Sequence, residues 1–124
     1  MIWLAVATGG AIGSMARHIV NLQFTRIERA VPYATAFVNL AGAAVIGLLA
    51  GLVAAERIRM SAEWRTFVFV GVLGGFTTFS SFMLDTFTLG HSGQRLAASM
   101  NLVLQNAVGL ALFWVGYRLA TGLR

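Results

Sequence analysis

Charged residues divide this chain into four uninterrupted runs: Met1–Ala16, Ala30–Ala55, Thr66–Leu84 and Leu96–Tyr117. About 20 consecutive apolar residues cross the hydrocarbon core of a bilayer, so the last three runs qualify as helical spans as they stand. The first reaches that length only by continuing through Arg17 and His18 toward Phe24. The pattern predicts an all-α membrane protein with four transmembrane helices at about 2–22, 32–55, 62–89 and 94–120. These form a single four-helix transmembrane domain over 1–124, because only short connections remain between them. Pro32, the only proline, suits the first turn of the second span, where its missing N–H would be unpaired anyway. Ser61 is an N-cap candidate for the third, with Glu63 and Trp64 in the first turn. Gly90–Gly93 reads as a turn before the fourth. Glycines four apart, at 9 and 13 and again at 47 and 51, give two spans a face on which another helix can approach closely.

Composition agrees with a bilayer setting. Hydrophobic residues make up 58% and charged residues 10% of the chain, against about 25% charged in ordinary soluble domains. Trp3, Trp114 and Tyr117 fall where interfacial anchors belong. No secretory signal is expected, since the first run has no basic stretch ahead of it and no small-residue cleavage site. The absence of cysteine removes disulfides and thiolate metal sites. The net charge of +5 rests on arginines at the segment ends, so lipid headgroups rather than nucleic acid are the expected partner. With four spans, one face collects Arg57, Arg59, Arg65, Arg118 and Arg124, and the other Arg17, Arg26, Arg29 and Arg95. A clear excess of arginine and lysine normally keeps one side cytoplasmic. This near balance leaves two readings open: insertion in both orientations as an antiparallel dual-topology homodimer, or one orientation set by the three arginines of the second connection. So small a protomer encloses little space for a polar path, and oligomerisation is expected.

The third run carries the candidate chemistry. Gly74 and Gly75 each weaken a helix by about 1 kcal/mol relative to alanine, and Thr77, Thr78 and Ser80 compete for backbone hydrogen bonds. Either the helix unwinds briefly at mid-membrane, freeing carbonyls for a monovalent cation, or it stays intact and the glycines serve close packing. Phe79 and Phe82 are three apart on one helix face, as are Thr78 and Ser81. Phenyl rings have positive edges, so the pair can border an anion path or simply fill a core. Asn39 lies in the middle of the second span, and Asn101 and Gln105 lie four apart on the fourth, beside Asn106. An amide at bilayer depth must satisfy two donors, by bonding another helix or by lining a pore. Amides, hydroxyls and ring edges present positive ends, whereas a cation path would use carboxylate rings or carbonyl cages. The predicted cargo is a small anion.

The run Gly-Gly-Phe-Thr-Thr-Phe-Ser-Ser-Phe at 74–82, with Val-Asn-Leu-Ala-Gly at 38–42 and Arg17 late in the first span, closely resembles the CrcB/Fluc fluoride channels over essentially the whole chain. The resemblance implies a fluoride-selective channel that exports fluoride passively across the bacterial cytoplasmic (inner) membrane and lowers cytoplasmic fluoride. It implies dual-topology antiparallel homodimers with two pores and a structural sodium ion on the dimer axis. It places Phe79, Phe82 and Asn39 on the fluoride pore and puts the backbone carbonyls of Gly74 and Thr77 on sodium. It assigns Ser81, Asn101 and Gln105 to the polar track. Asp85 stands where many members carry glutamate near a pore entrance, and Met83 replaces a frequent serine. Arg17 is expected to concentrate anions at a vestibule or to serve packing and headgroups. The competing reading is a proton-coupled exporter of the small multidrug type. That mechanism needs a membrane-embedded carboxylate, and the first span has none. An enzyme is not expected, because His18 and His91 fall near interfaces, far from Ser80 and Ser81.

Overall fold

The computed structural model describes residues 1–25 and 32–122. Arg26, Arg29 and Arg124, which enter the charge balance above, lie outside the described residues. The elements in chain order are α1 (Ile2–Phe24), α2 (Tyr33–Ala54), α3 (Ala62–Arg65), a π-helical segment (Thr66–Leu73), α4 (Gly74–Phe76), α5 (Phe79–His91) and α6 (Arg95–Thr121). No strand occurs among the described residues. Three helical stretches are long and apolar enough to cross a membrane: Tyr33–Ala54, Ala62–His91 and Arg95–Thr121, with mean hydropathies of 2.2, 1.8 and 1.5. The helix α1 is comparably long, but Arg17, His18, Asn21 and Gln23 dilute its second half.

The ends of these helices follow from their capping residues. Pro32 sits just outside α2 as its N-cap, one position earlier than expected of a first-turn proline. The Ser61 hydroxyl accepts from the Trp64 N–H at 3.3 Å, as the sequence predicts. At the far end of α2, Arg57 N–H donates to the Leu52 carbonyl (2.9 Å) and Glu56 N–H to Val53 (3.1 Å). The same pattern closes α5, with Gln94 N–H on Leu89 (2.9 Å) and Gly93 N–H on Gly90 (3.2 Å). Both are Schellman closures, which place the residue after the cap in the left-handed region. That residue is Gly93 in one case (φ +83) and Glu56 in the other (φ 54).

Glycine governs how the helices meet. The face of α6 around Gly116 lies on α2, where a Cβ would stand 2.7 Å from the Ala44 carbonyl and 2.9 Å from the Leu48 nitrogen. Gly51 answers from α2, its would-be Cβ 2.6 Å from the Tyr117 carbonyl. On the other side of the molecule, Gly9 and Gly71 bring α1 onto the π-helical segment, and a Cβ on Gly71 would lie 2.8 Å from the Gly9 Cα. The small-residue faces predicted at 9/13 and 47/51 are therefore the two principal seams. The core between them is thin. Val38 is fully enclosed, joined by Ala34, Leu73, Phe82, Leu89 and Ala120, whereas Leu4, Met15, Ile19, Leu110 and Leu119 all face outward. An apolar exterior around a glycine-lined interior is the reverse of a water-soluble domain and fits a lipid surround.

Candidate functional site

The helical stretch Ala62–His91 breaks at Thr77–Thr78, directly after α4. Both residues are extended, Thr77 at φ −81, ψ 161 and Thr78 at φ −153, ψ 118. Of the two readings left open, the interruption is present, but Gly74 and Gly75 themselves remain helical. Gly75 serves packing instead: a Cβ there would lie 2.7 Å from the Gly10 carbonyl and 3.2 Å from the Gly10 Cα. The π-helical segment upstream was not foreseen, and its sequence, Thr-Phe-Val-Phe-Val-Gly-Val-Leu, carries no glycine or proline at its start. Such segments inside longer helices recur near functional sites.

The Thr78 N–H and the Thr77 carbonyl, both released by the break, find side chains. Thr78 N–H, which in a continuous helix would return to the Gly74 carbonyl, donates to Asn39 Oδ1 at 2.8 Å. Asn39 Nδ2 donates to the Thr78 carbonyl at 3.0 Å. Asn39 thus grips the backbone of one residue through its N–H and its carbonyl, across 39 residues of sequence. From α1, Arg17 Nη1 donates to the Thr77 carbonyl at 3.2 Å. A buried carbonyl left without a donor costs about 1–3 kcal/mol, so these two long-range contacts hold the break in place. Arg17, expected at a vestibule or in packing, is here a brace of the broken helix. The Thr78 hydroxyl caps α5 by accepting from Ser81 N–H (3.2 Å) and donates to Ser81 Oγ (3.1 Å). Thr78 and Ser81 share a face as predicted, with the hydroxyl pair turned toward closing the helix start.

The amides of α6 continue the network. Asn39 Nδ2 also donates to Gln105 Oε1, Gln105 Nε2 to Asn101 Oδ1, and Asn101 Nδ2 to Thr86 Oγ1, each at 2.8 Å. Thr86 Oγ1 closes the row on the Phe82 carbonyl of its own helix at 2.8 Å. Asn39, Asn101 and Gln105 are therefore brought together, as their positions predict. Asn106 is not in this row, because it donates to the Leu102 carbonyl on its own helix. Thr86 was missed by the sequence reading. Its signal was available in the hairpin: α5 and α6 run antiparallel from the turn at Gly93, which sets 86 level with 101.

Beside this row lies an open recess of about 240 Å³ lined by Asn39, Thr77, Thr78, Phe79, Phe82, Gln105 and Asn106. The rings of Phe79 and Phe82 meet edge to face, centroids 6.0 Å apart at 65°. Phe82 is buried, but Phe79 is 73% exposed in the protomer. Phenyl, hydroxyl and amide side chains line it together, and none of the lining residues is a carboxylate. Asp85 is half-buried on α5, outside the recess lining.

The donor set expected to hold a cation was Gly74 and Thr77. The Gly74 carbonyl has lost its usual helical donor to Asn39, and the Thr77 carbonyl keeps a second lone pair beside Arg17. These oxygens suit a small monovalent cation, yet two fall short of a coordination shell. Among the described residues, no cluster of three histidine, aspartate or glutamate side chains could hold a metal ion.

Comparison with known proteins bears on the whole chain. The model of the family described as CrcB-like protein, Camphor Resistance (CrcB), matches residues 4–117. A Paramagnetospirillum magneticum protein named Fluoride-specific ion channel FluC is 42% identical over 123 residues, covering 98% of this chain and 96% of its own. Proteins of the same name from Rhodospirillum rubrum and Hyphomonas neptunium are each 42% identical over 119 residues. They cover 94% and 95% of this chain and 92% and 94% of their own lengths. With the family model matching residues 4–117 and these relatives matching nearly its whole length, this chain belongs to the CrcB-like family.

Proposed function

We propose that this protein is a fluoride-selective ion channel that lets fluoride leave the cell passively across the bacterial inner membrane. The observation that carries the reading is the recess at the helix break, which the Phe79–Phe82 ring pair lines together with Asn39 and Gln105, with no carboxylate in the lining. The full-length similarity to proteins named fluoride-specific ion channels supports it. Fluoride is small and tightly hydrated, so a dry path must replace its water with several donors at once. Amide N–H groups, hydroxyls and ring edges do so without a fixed charge that would trap the ion. On this reading Asn39, Thr78, Phe79, Ser81, Phe82, Asn101 and Gln105 border the path, and Asp85 lies toward an entrance.

The working unit is an antiparallel dual-topology homodimer of four-span protomers. The exposure of Phe79 and the open side of the recess support a second copy completing the path. Two copies would also double the carbonyls of Gly74 and Thr77. A structural sodium ion there would supply positive charge that ties the two breaks together. The competing reading, a proton-coupled exporter, has nothing to work with in α1, which contains no aspartate or glutamate.

Fluoride efflux from liposomes holding the pure protein tests the function directly. Rapid efflux without a proton gradient is expected, whereas efflux that waits for protons would establish a coupled carrier. In the same assay Phe79→Ile is expected to lower throughput by about tenfold or more while the dimer still elutes intact. Unchanged flux would remove the ring edges from the mechanism.

A further inference from the structure

The polarity of the amide row is set from one end. A backbone N–H only donates and a carbonyl only accepts, so the Thr78 backbone dictates that Asn39 turn Oδ1 to the first and Nδ2 to the second. The other N–H of Asn39 then meets Gln105, which must present Oε1. That leaves Gln105 Nε2 toward Asn101, which must present Oδ1. Asn101 Nδ2 in turn reaches Thr86. Both N–H groups of Asn39 are therefore committed, one to the Thr78 carbonyl and one to Gln105. Gln105 Nε2 carries two N–H groups and uses one, with no second acceptor among the described residues. Gln105 is only 9% exposed, and it lines the recess together with Phe79 and Phe82.

Resting on the anion-channel reading, we propose that Gln105 supplies the amide N–H that binds the anion, and that Asn39 is a positioning residue. Asn39 keeps the broken helix open and decides which end of the Gln105 amide faces the rings. An anion placed against the spare N–H sits beside the ring pair without breaking any bond of the row. Binding at Asn39 would instead require it to release the Thr78 carbonyl or Gln105 Oε1, and the second is a buried acceptor that is costly to strand.

Titration of purified dimer carrying ¹⁵N in its asparagine and glutamine side chains separates the two amides. Sodium fluoride is expected to shift one Gln105 side-chain N–H resonance downfield and saturably, while both Asn39 resonances hold; sodium chloride should do neither. Gln105→Met identifies the Gln105 signals by their loss. A saturable shift at Asn39 or Asn106, or none at Gln105, overturns the proposal. Liposome efflux adds a second arm. Gln105→Glu keeps the oxygen that accepts from Asn39 and loses the N–H groups, whereas Gln105→Met loses both. Both are expected to slow fluoride by about tenfold or more. Wild-type flux in either variant defeats the assignment of Gln105 alone, whereas a wild-type protein that carries no fluoride defeats the channel reading itself.

Discussion

At the scale of single residues, Gly74 and Gly75 show how two identical neighbours do different work. Gly74 is exposed, and the nearest atom to a Cβ there is the Phe69 carbonyl at 3.6 Å. Gly75 faces α1, where the Gly10 backbone leaves no space for a methyl group. Gly75→Ala is therefore expected to destabilise the protein by about 1–3 kcal/mol, because only backbone could yield. A thermal unfolding scan of the purified protein would read this as a lowered midpoint; an unchanged midpoint would mean that α1 is not held against α4 as described. The pair also shows the limit of residue-level reading. Two glycines followed by threonines signal weakness in a helix, but which of them packs and which residue breaks depends on the helix opposite.

At the scale of elements, α2 and α5 end in the same hydrogen-bond pattern with different residues in the left-handed position. Gly93 adopts it freely, whereas Glu56 carries a Cβ into a region that disfavours one. Glu56→Gly is expected to stabilise the protein by about 1 kcal/mol, and Gly93→Ala to destabilise it by a similar amount. Denaturation of the two variants side by side checks the pair, and shifts of the same sign would contradict the shared geometry. The broken Ala62–His91 stretch follows a related logic. Its carbonyl at 77 and its N–H at 78 are satisfied by Arg17 from α1 and Asn39 from α2, so the break belongs to three elements rather than to one.

At the scale of the whole molecule, two glycine seams leave an apolar exterior and a recess open on one side. The proposed second copy, inverted in the membrane, would cover the exposed Phe79 and complete the path. The chain has no cysteine, and Ser92 is exposed in the turn between α5 and α6, so a single Ser92→Cys variant gives a clean reporter. Impermeant thiol reagents are expected to label it from both sides of the membrane. Labelling from one side only would leave a single orientation and remove the antiparallel dimer.

The spacing of charges and apolar runs by itself determined the class, the approximate spans and the Ser61 cap, because bilayer thickness and capping chemistry act locally on the chain. It also marked Asn39, Asn101, Gln105 and the 77–82 stretch as polar groups too deep to be idle. Only the tertiary structure decided that the chain opens at Thr77–Thr78 instead of at the glycines, that Arg17 reaches across to that opening, and that Thr86 closes the amide row. Those outcomes depend on contacts between residues up to 66 apart. A buried donor or acceptor is settled by whichever neighbour folding brings within about 3 Å, and no local pattern of residues specifies that neighbour.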